Sequence, residues 1–175
     1  MNRIGDLYMT KWKMKIVFTG ISSIFVLSGC GMFGNGNVNE VGDDLEAYYN
    51  DHIIPIQTDV DDAWWDFYDE TADLSNEEFY DAYQSDLKPE LDGYYDELQS
   101  LQPETEEVKN LHDMYLENNE VFWEAGEKEV EGHYQEDTEL LQEADDLFDE
   151  YDRMEQEFYD ELDRLMDEHG VEYEN

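Results

Sequence analysis

Apolar residues recur at spacings of three and four along most of this chain, and the positions between them are mainly polar or acidic. That spacing places the apolar side chains on one face of an α-helix, whereas in a strand every second residue shares a face. No stretch of the chain shows sustained alternation of apolar and polar residues. The sequence therefore predicts an all-α protein built from amphipathic helices.

The apolar positions fall into four segments, bounded by residues that are typical of helix ends. Ser75 and Glu78 match a capping box, Thr105 precedes two glutamates, and Gly170 stands where a left-handed C-cap is expected. Apolar residues spaced alternately three and four positions apart favour left-handed antiparallel packing of helices with short connections. We therefore predict an antiparallel bundle of about four helices over residues 38–175. The most central positions are expected to be Leu98, Leu147, Phe158 and Leu162.

Two prolines fall inside the first two apolar segments. Pro55 and Pro89 each interrupt a stripe whose apolar residues keep the same phase before and after the proline. A proline inside a helix lacks the N–H of a backbone hydrogen bond, and its ring clashes with the preceding turn. We therefore expect a kink in each of the first two helices, and a split of either helix is the alternative.

The charge of the chain is far from balanced. It carries 9 Lys and Arg residues against 49 Asp and Glu residues, which gives a formal net charge of −40. Such a charge excludes electrostatic binding to nucleic acid or to an anionic bilayer, because both require a basic face. Highly charged disordered chains are poor in aromatic residues, yet 14% of this chain is aromatic. We expect one folded domain that added salt or moderate acidity stabilises.

The first thirty residues have the organisation of a secretory precursor. Four of the nine basic residues precede residue 16, and the apolar run of residues 16–26 follows them. A membrane-spanning helix needs about 20 apolar residues, whereas the apolar region of a signal peptide needs about 7–15. The run therefore fits a signal peptide. Its basic region is long if translation starts at Met1, so Met9 and Met14 are alternative starts.

The apolar run is followed by Leu27, Ser28, Gly29 and Cys30, and Cys30 is the only cysteine of the chain. This quartet resembles the lipobox of bacterial lipoprotein precursors, and the whole chain resembles a Gram-positive member of that class. In that class a diacylglycerol is attached to the cysteine sulfur, and a signal peptidase that recognises the three preceding residues cuts before the cysteine. The resemblance implies a cleaved signal peptide at residues 1–29 and a lipidated Cys30. A flexible tether over residues 30–37 would then hold the domain at the extracytoplasmic face of the cell membrane.

The Glu- and Tyr-rich part of the chain, over residues 75–170, is similar to helical lipoproteins described as cell-wall-binding. This similarity lies in overall composition and implies no functional residue beyond Cys30. It implies a non-enzymatic domain that binds an envelope protein or polymer, with the cell wall among the candidates. The alternative is a surface lipoprotein that binds cations or presents metal ions.

The sequence contains no motif that is typical of catalysis or of a dedicated metal site. There is no glycine-rich phosphate loop and no Gly-x-Ser-x-Gly turn, and no histidine has a glutamate three residues before it, as carboxylate-bridged metal pairs require. The acidic run at residues 59–62 lacks the glycine of a calcium loop. We therefore expect no catalytic, cofactor-binding or metal-ligating residues, and only weak binding of divalent cations to the acidic surface.

Trp64 and Trp65 form the most suggestive aromatic pair. Adjacent residues of a helix point about 100° apart, so we expect one tryptophan to face the bundle and the other to lie at its edge. The outer ring could stack on a sugar or a hydrophobic partner, or it could simply lie against a neighbouring helix.

The lipobox makes a direct prediction about Cys30. Cys30→Ser is expected to leave an unprocessed precursor without the acyl mass, because the lipid transfer needs a thiol and Cys30 carries the only thiol of the chain. Mass spectrometry of the wild-type and variant proteins measures this difference. Partition of the wild-type protein into the aqueous phase of a detergent extraction would show that the anchor is absent.

Overall fold

The computed structural model describes residues 39–171, in which all regular secondary structure is helical. The α segments are α1 (Glu40–Ala47), α2 (Ile54–Thr71), α3 (Asn76–Ala82), α4 (Lys88–Ser100), α5 (Glu106–Gln135) and α6 (Thr138–His169). The π segments are π1 (Tyr48–Ile53) and π2 (Tyr83–Leu87). We call α1–π1–α2 the first helix and α3–π2–α4 the second helix; with α5 and α6 they confirm the predicted all-α bundle of four helices.

None of the helices within residues 39–171 is long and apolar enough to cross a membrane. The predicted signal peptide at residues 1–29 and the tether at residues 30–37 lie outside the described residues, so both stay predictions.

Neither proline splits its helix. Pro55 and Pro89 each lie in the first turn of the α segment that follows a π segment, and the residues at both junctions keep right-handed helical backbone angles. A π turn accommodates one extra residue in the helix, which relieves the clash between the proline ring and the preceding turn. The structure therefore accommodates each proline in a locally widened helix.

The two π segments share a sequence pattern, in which a buried tyrosine is followed by a buried aliphatic residue four positions later and a proline two positions after that. Because a π turn is wider than an α turn, residues four apart stay on the inner side of the helix through each π segment. The two sets are Tyr49, Ile53 and Pro55 in the first helix and Tyr83, Leu87 and Pro89 in the second helix.

The predicted helix ends are present. The hydroxyl of Ser75 accepts a hydrogen bond from the backbone N–H of Glu78, whose carboxylate in turn accepts from the N–H of Ser75 at 3.0 Å. Thr105 caps the start of α5, and Gly170 ends α6 with a φ of 68°. These caps satisfy backbone groups that have no partner within the helix.

The connection between α5 and α6 is short, and it brings the two helices close together. Glu136 adopts a left-handed conformation at the end of α5, and Asp137 caps the start of α6. Gly132 lies inside α5, and a Cβ atom there would come within 2.9 Å of the side chain of Leu141. The missing side chain of Gly132 therefore permits the close approach of the first turn of α6.

Two side chains join the start of the first helix to the rest of the bundle. The amide of Asn39 donates to the carbonyl oxygen of His169 at 2.6 Å, at the end of α6. The carboxylate of Asp44 accepts hydrogen bonds from the backbone N–H and the hydroxyl of Thr105, at 2.8 and 2.7 Å. The chain therefore enters the bundle beside the C-terminal end of α6 and the N-terminal end of α5.

The interior consists of two hydrophobic clusters along the length of the bundle. Core 1 lies at the end where the first helix begins, and all four helices contribute to it. Core 2 lies farther along α2 and takes no residue from α6. Core 1 contains Leu45, Tyr48, Tyr49, Ile53, Ile56, Leu98, Val108, Leu111, Tyr115, Phe158, Leu162, Leu165 and Met166. Core 2 contains Ala63, Trp64, Phe67, Tyr83, Leu87, Leu91 and Val130.

Three of the four residues predicted to be most central are buried in core 1, and one prediction is wrong. Leu98, Phe158 and Leu162 are almost completely inaccessible, whereas Leu147 stays partly exposed and belongs to neither core. Because core 2 takes no residue from α6, this part of α6 packs mainly on α5.

The burial of these leucines predicts unequal effects of truncation. Leu162→Ala is expected to lower the free energy of unfolding by about 2–5 kcal/mol, because it leaves a cavity in core 1. Leu147→Ala is expected to lower it by about half as much or less, because a partly exposed side chain loses less burial. Urea denaturation followed by far-UV circular dichroism measures both values. Equal losses would contradict the position of Leu147 at the margin of the bundle.

Candidate functional site

A groove of about 320 Å³ opens between α2 and the middle of the second helix. Its lining combines exposed carboxylates with apolar residues that are buried or partly buried. None of the ten lining residues is basic. The acidic lining residues are Asp59, Asp62, Asp66, Glu70, Asp86 and Glu90, and the apolar and aromatic ones are Ala63, Phe67, Leu87 and Tyr94.

The helical period explains why the sequence forms two facing acidic walls. The four acids of α2 follow one another at spacings of three and four, so they lie along one side of that helix. Asp86 and Glu90 are four residues apart, so they lie along one side of the second helix. Ala63 and Phe67 of α2 and Leu87 of π2 lie between the walls and belong to core 2. The floor of the groove is therefore the outer surface of core 2.

No basic side chain of the described residues neutralises these walls. Lys88 adjoins the groove in sequence, but its ammonium group is hydrogen-bonded to Glu127 of α5 and lies 3.6 Å from Asp92. The other lysine and arginine side chains within residues 39–171 also form ion pairs with carboxylates that do not line the groove. The groove therefore has an unbalanced negative potential.

Tyr94 brings a phenol to the edge of the floor. Its hydroxyl donates a hydrogen bond to Glu90 at 3.0 Å. Burial, this hydrogen bond and the surrounding carboxylates raise the pKa of Tyr94 to about 12. The phenol is therefore neutral at physiological pH, and it offers a ring face and a bound proton rather than a base.

The carboxylates of the groove are spread along its walls. The described part of the chain contains no group of three or more His, Cys, Asp or Glu side chains placed to hold a metal ion. Divalent metals need several ligands around one point, whereas separated carboxylates produce a field over a larger area. The geometry suits a ligand whose positive charges are also separated.

The two adjacent tryptophans have different environments, as the sequence predicts. Trp64 is buried in core 2, where its ring stacks on Tyr68 and Tyr83, and a Cβ atom at Gly126 of α5 would lie 3.6 Å from that ring. Trp65 is 36% exposed at the edge of the bundle. It does not line the groove, so its role as a stacking platform stays a separate prediction.

A second polar cluster lies partly buried at the edge of core 1, where α2, α5 and α6 meet. Gln57 lies beside Tyr115 and Tyr159, whose buried hydroxyl has no hydrogen-bond partner within residues 39–171, and Tyr151 donates a hydrogen bond to Glu155 at 2.7 Å. The sequence alone does not reveal this cluster, because each helix contributes only one to three of its residues. The glutamate at position 155 is four residues after Tyr151, but that spacing does not show which helix they face.

Asp61 is the acidic member that α2 contributes to this cluster. Burial, followed by the neighbouring carboxylates of Asp62 and Glu155, raises the pKa of Asp61 to about 6. Burial also raises the pKa values of Tyr115, Tyr151 and Tyr159, so their phenols keep their protons at physiological pH. The raised pKa brings the titration of Asp61 closer to neutral pH than that of an exposed aspartate.

His112 is a structural histidine of the interior. Its Nδ1 atom lies 3.1 Å from the hydroxyl oxygen of Tyr48, and both side chains are buried. Burial lowers the pKa of His112, so the folded protein favours the neutral ring. The stabilising contribution of this ring is present above its ordinary pKa and is lost as the pH falls through the lowered value.

Comparison with known proteins adds no family to these observations. No protein-family model matches the chain, and no curated protein or solved structure matches it significantly. The predicted lipidation residue Cys30 and the predicted recognition residues Leu27, Ser28 and Gly29 lie outside residues 39–171.

Proposed function

We propose that this protein is a lipid-anchored lipoprotein of the extracytoplasmic face of the cell membrane, and that its helical domain binds a cationic envelope partner without catalysing a reaction. The lipobox at residues 27–30 supports the anchor. The binding role is carried by one observation, which is the groove with six carboxylates on its walls, apolar side chains on its floor and no basic residue in its lining.

The groove favours a basic peptide segment over a small ion. Facing carboxylates raise the local concentration of cations, and the apolar floor strengthens their field by excluding water. The aliphatic stems of lysine and arginine side chains can pack on Phe67 and Leu87, and the ring of Tyr94 can accept a cation–π contact. An exposed basic segment of an envelope protein supplies all of these features.

The cell wall is a less favourable partner. Gram-positive walls carry phosphate-rich polymers, and the net negative charge of this domain repels them unless salt or bridging cations intervene. We therefore favour a basic segment of an envelope protein as the partner, rather than an anionic polymer of the wall.

The alternative function is cation binding or metal presentation at the membrane surface. The same carboxylates favour it, and weak association with divalent cations is compatible with either function. The two functions differ in stoichiometry. Micromolar uptake of one kind of ion at a fixed ratio would support metal presentation, whereas diffuse millimolar binding would leave the groove available for a basic partner.

The attachment of the first helix gives the proposed site an orientation. Asn39 is bonded to the end of α6, so a tether before residue 39 would leave the bundle at the core 1 end. With a helical rise of about 1.5 Å per residue, the acids of α2 lie about 30–45 Å along the first helix from that point. The groove would therefore stand beyond the membrane surface potential, which decays within about 10 Å at physiological salt.

Neutralising the groove is expected to weaken the binding of a lysine-rich peptide. The triple variant Asp62→Asn, Asp66→Asn and Asp86→Asn should bind about ten-fold more weakly or worse, which corresponds to about 1.4 kcal/mol. The matched control is Glu107→Gln, Asp149→Asn and Asp167→Asn, which removes the same charge from exposed positions outside the groove. Isothermal titration calorimetry at physiological salt measures the dissociation constants.

The control variant distinguishes binding in the groove from a general attraction of the peptide to the negatively charged domain. The proposal predicts that the control variant binds nearly as well as the wild type. Equal losses in the two triple variants would show that the peptide responds to net charge alone, and the groove would then not be the site.

A further inference from the structure

Two aromatic side chains line the groove, and their rings differ in what they already contact. Phe67 is buried, and its ring contacts four other aromatic rings, those of Trp64, Tyr68, Phe79 and Tyr83. Tyr94 packs against both cores and lines the groove, but no aromatic ring within residues 39–171 contacts its ring. Tyr94 is therefore the aromatic ring that the groove offers to a ligand.

Tyr94 lies at the end of the groove nearest core 1. The first and second helices are joined by residues 72–75 and run antiparallel, so the start of α2 lies beside the later turns of the second helix. Within residues 39–171, Val60 and Tyr94 are the two side chains that pack against both cores, which places both at the boundary between the cores. Asp59 and Asp62 lie on either side of Val60 in sequence and line the groove. The facing wall therefore brings carboxylates to the same end of the groove as the ring.

The wall to which Tyr94 belongs also holds a carboxylate beside the ring. The hydroxyl of Tyr94 donates a hydrogen bond at 3.0 Å to Oε1 of Glu90, which lies one helical turn earlier. Glu90 makes no other hydrogen bond or ion pair with residues 39–171. A phenol that donates to a carboxylate gains electron density, and this strengthens the attraction of its ring face for a cation. The two side chains thus present an aromatic face next to an oriented carboxylate.

We propose that Tyr94 makes the groove selective for arginine over lysine, because its ring stacks on one guanidinium group while Glu90 and the facing wall accept the N–H groups of that guanidinium. A guanidinium is planar and weakly hydrated, and its N–H groups point outward in its plane, so it can lie on a ring and donate to carboxylates at its edge. An ammonium group is more strongly hydrated and has no flat face. This inference deepens the proposed binding function and rests on it.

The other end of the groove is expected to attract basic side chains without distinguishing them. Asp66, Glu70 and Asp86 line the groove near Phe67, whose ring is already packed against other rings. Carboxylates without such a ring attract lysine and arginine by charge alone. The acids of α2 extend over about 16 Å at a helical rise of 1.5 Å per residue, and an extended peptide covers that length with about five residues.

Two matched peptides test the selectivity. Each has five residues and blocked ends; one carries three arginines that alternate with two glycines, and the other carries lysine in place of each arginine. Isothermal titration calorimetry with the full chain, in a nonionic detergent at physiological salt, measures the two dissociation constants. We expect the arginine peptide to bind about five-fold more tightly, which one cation–π contact can supply.

The same titrations separate the selectivity from the binding function. Equal dissociation constants for the two peptides would overturn the selectivity. The binding function would still stand if the groove variant Asp62→Asn, Asp66→Asn and Asp86→Asn weakened both peptides. Absence of binding by either peptide would overturn both proposals.

Two substitutions identify the ring responsible. Tyr94→Leu is expected to bring the two dissociation constants within about two-fold of each other, mainly by weakening the arginine peptide. The matched control is Tyr134→Leu, which removes an exposed ring outside the groove and is expected to keep the preference for arginine. A wild-type preference in Tyr94→Leu would overturn the role of Tyr94, as would an equal loss of preference in Tyr134→Leu. Far-UV circular dichroism shows whether each variant is folded.

Because Tyr94 packs against both cores, a second measurement avoids substituting it. Nuclear magnetic resonance follows the δ-methylene protons of the arginine peptide as wild-type protein is added. Protons above the face of an aromatic ring are shielded, so we expect these signals to move upfield on binding, and the ε-methylene signals of the lysine peptide to move less. Shifts of the same size in the two peptides would contradict stacking on Tyr94.

Discussion

Mutual repulsion among carboxylates is the constraint under which every helix of this bundle packs. The chain has a formal net charge of −40, and the lysine and arginine side chains of residues 39–171 are already engaged in surface ion pairs. Exposed ion pairs contribute about 0–1 kcal/mol each, and like charges four residues apart destabilise a helix by about 0.2–0.5 kcal/mol per pair. Because a domain is stable by only about 5–15 kcal/mol, the two cores must supply the stability that the surface opposes.

Because the two cores must supply the stability, each helix has to keep its apolar residues facing the interior along its whole length. The first two helices keep their apolar residues facing inward past Pro55 and Pro89 because a π segment precedes each proline. Most of the acids then lie on the outer faces, where water screens them. In the groove, carboxylates of α2 and of the second helix face each other, and we assign the proposed binding function to this place.

The sequence was sufficient to predict the elements but not their mutual arrangement. The spacing of apolar residues predicts the four helices, and the caps at Ser75 and Gly170 follow from local chemistry. The different environments of Trp64 and Trp65 follow from the angle between adjacent residues. Helical periodicity does not tell which helices are neighbours, so it did not reveal the facing walls of the groove or the partial exposure of Leu147.

Thermal unfolding as a function of salt tests most directly whether self-repulsion limits this fold. The fragment of residues 31–175 would be heated in sodium chloride from about 10 mM to about 1 M, over which the Debye length falls from about 30 Å to about 3 Å. The melting temperature is expected to rise, most steeply at low salt, where screening changes fastest. A melting temperature that stays flat or falls across the series would contradict this account, because the repulsion would then contribute nothing that screening can remove.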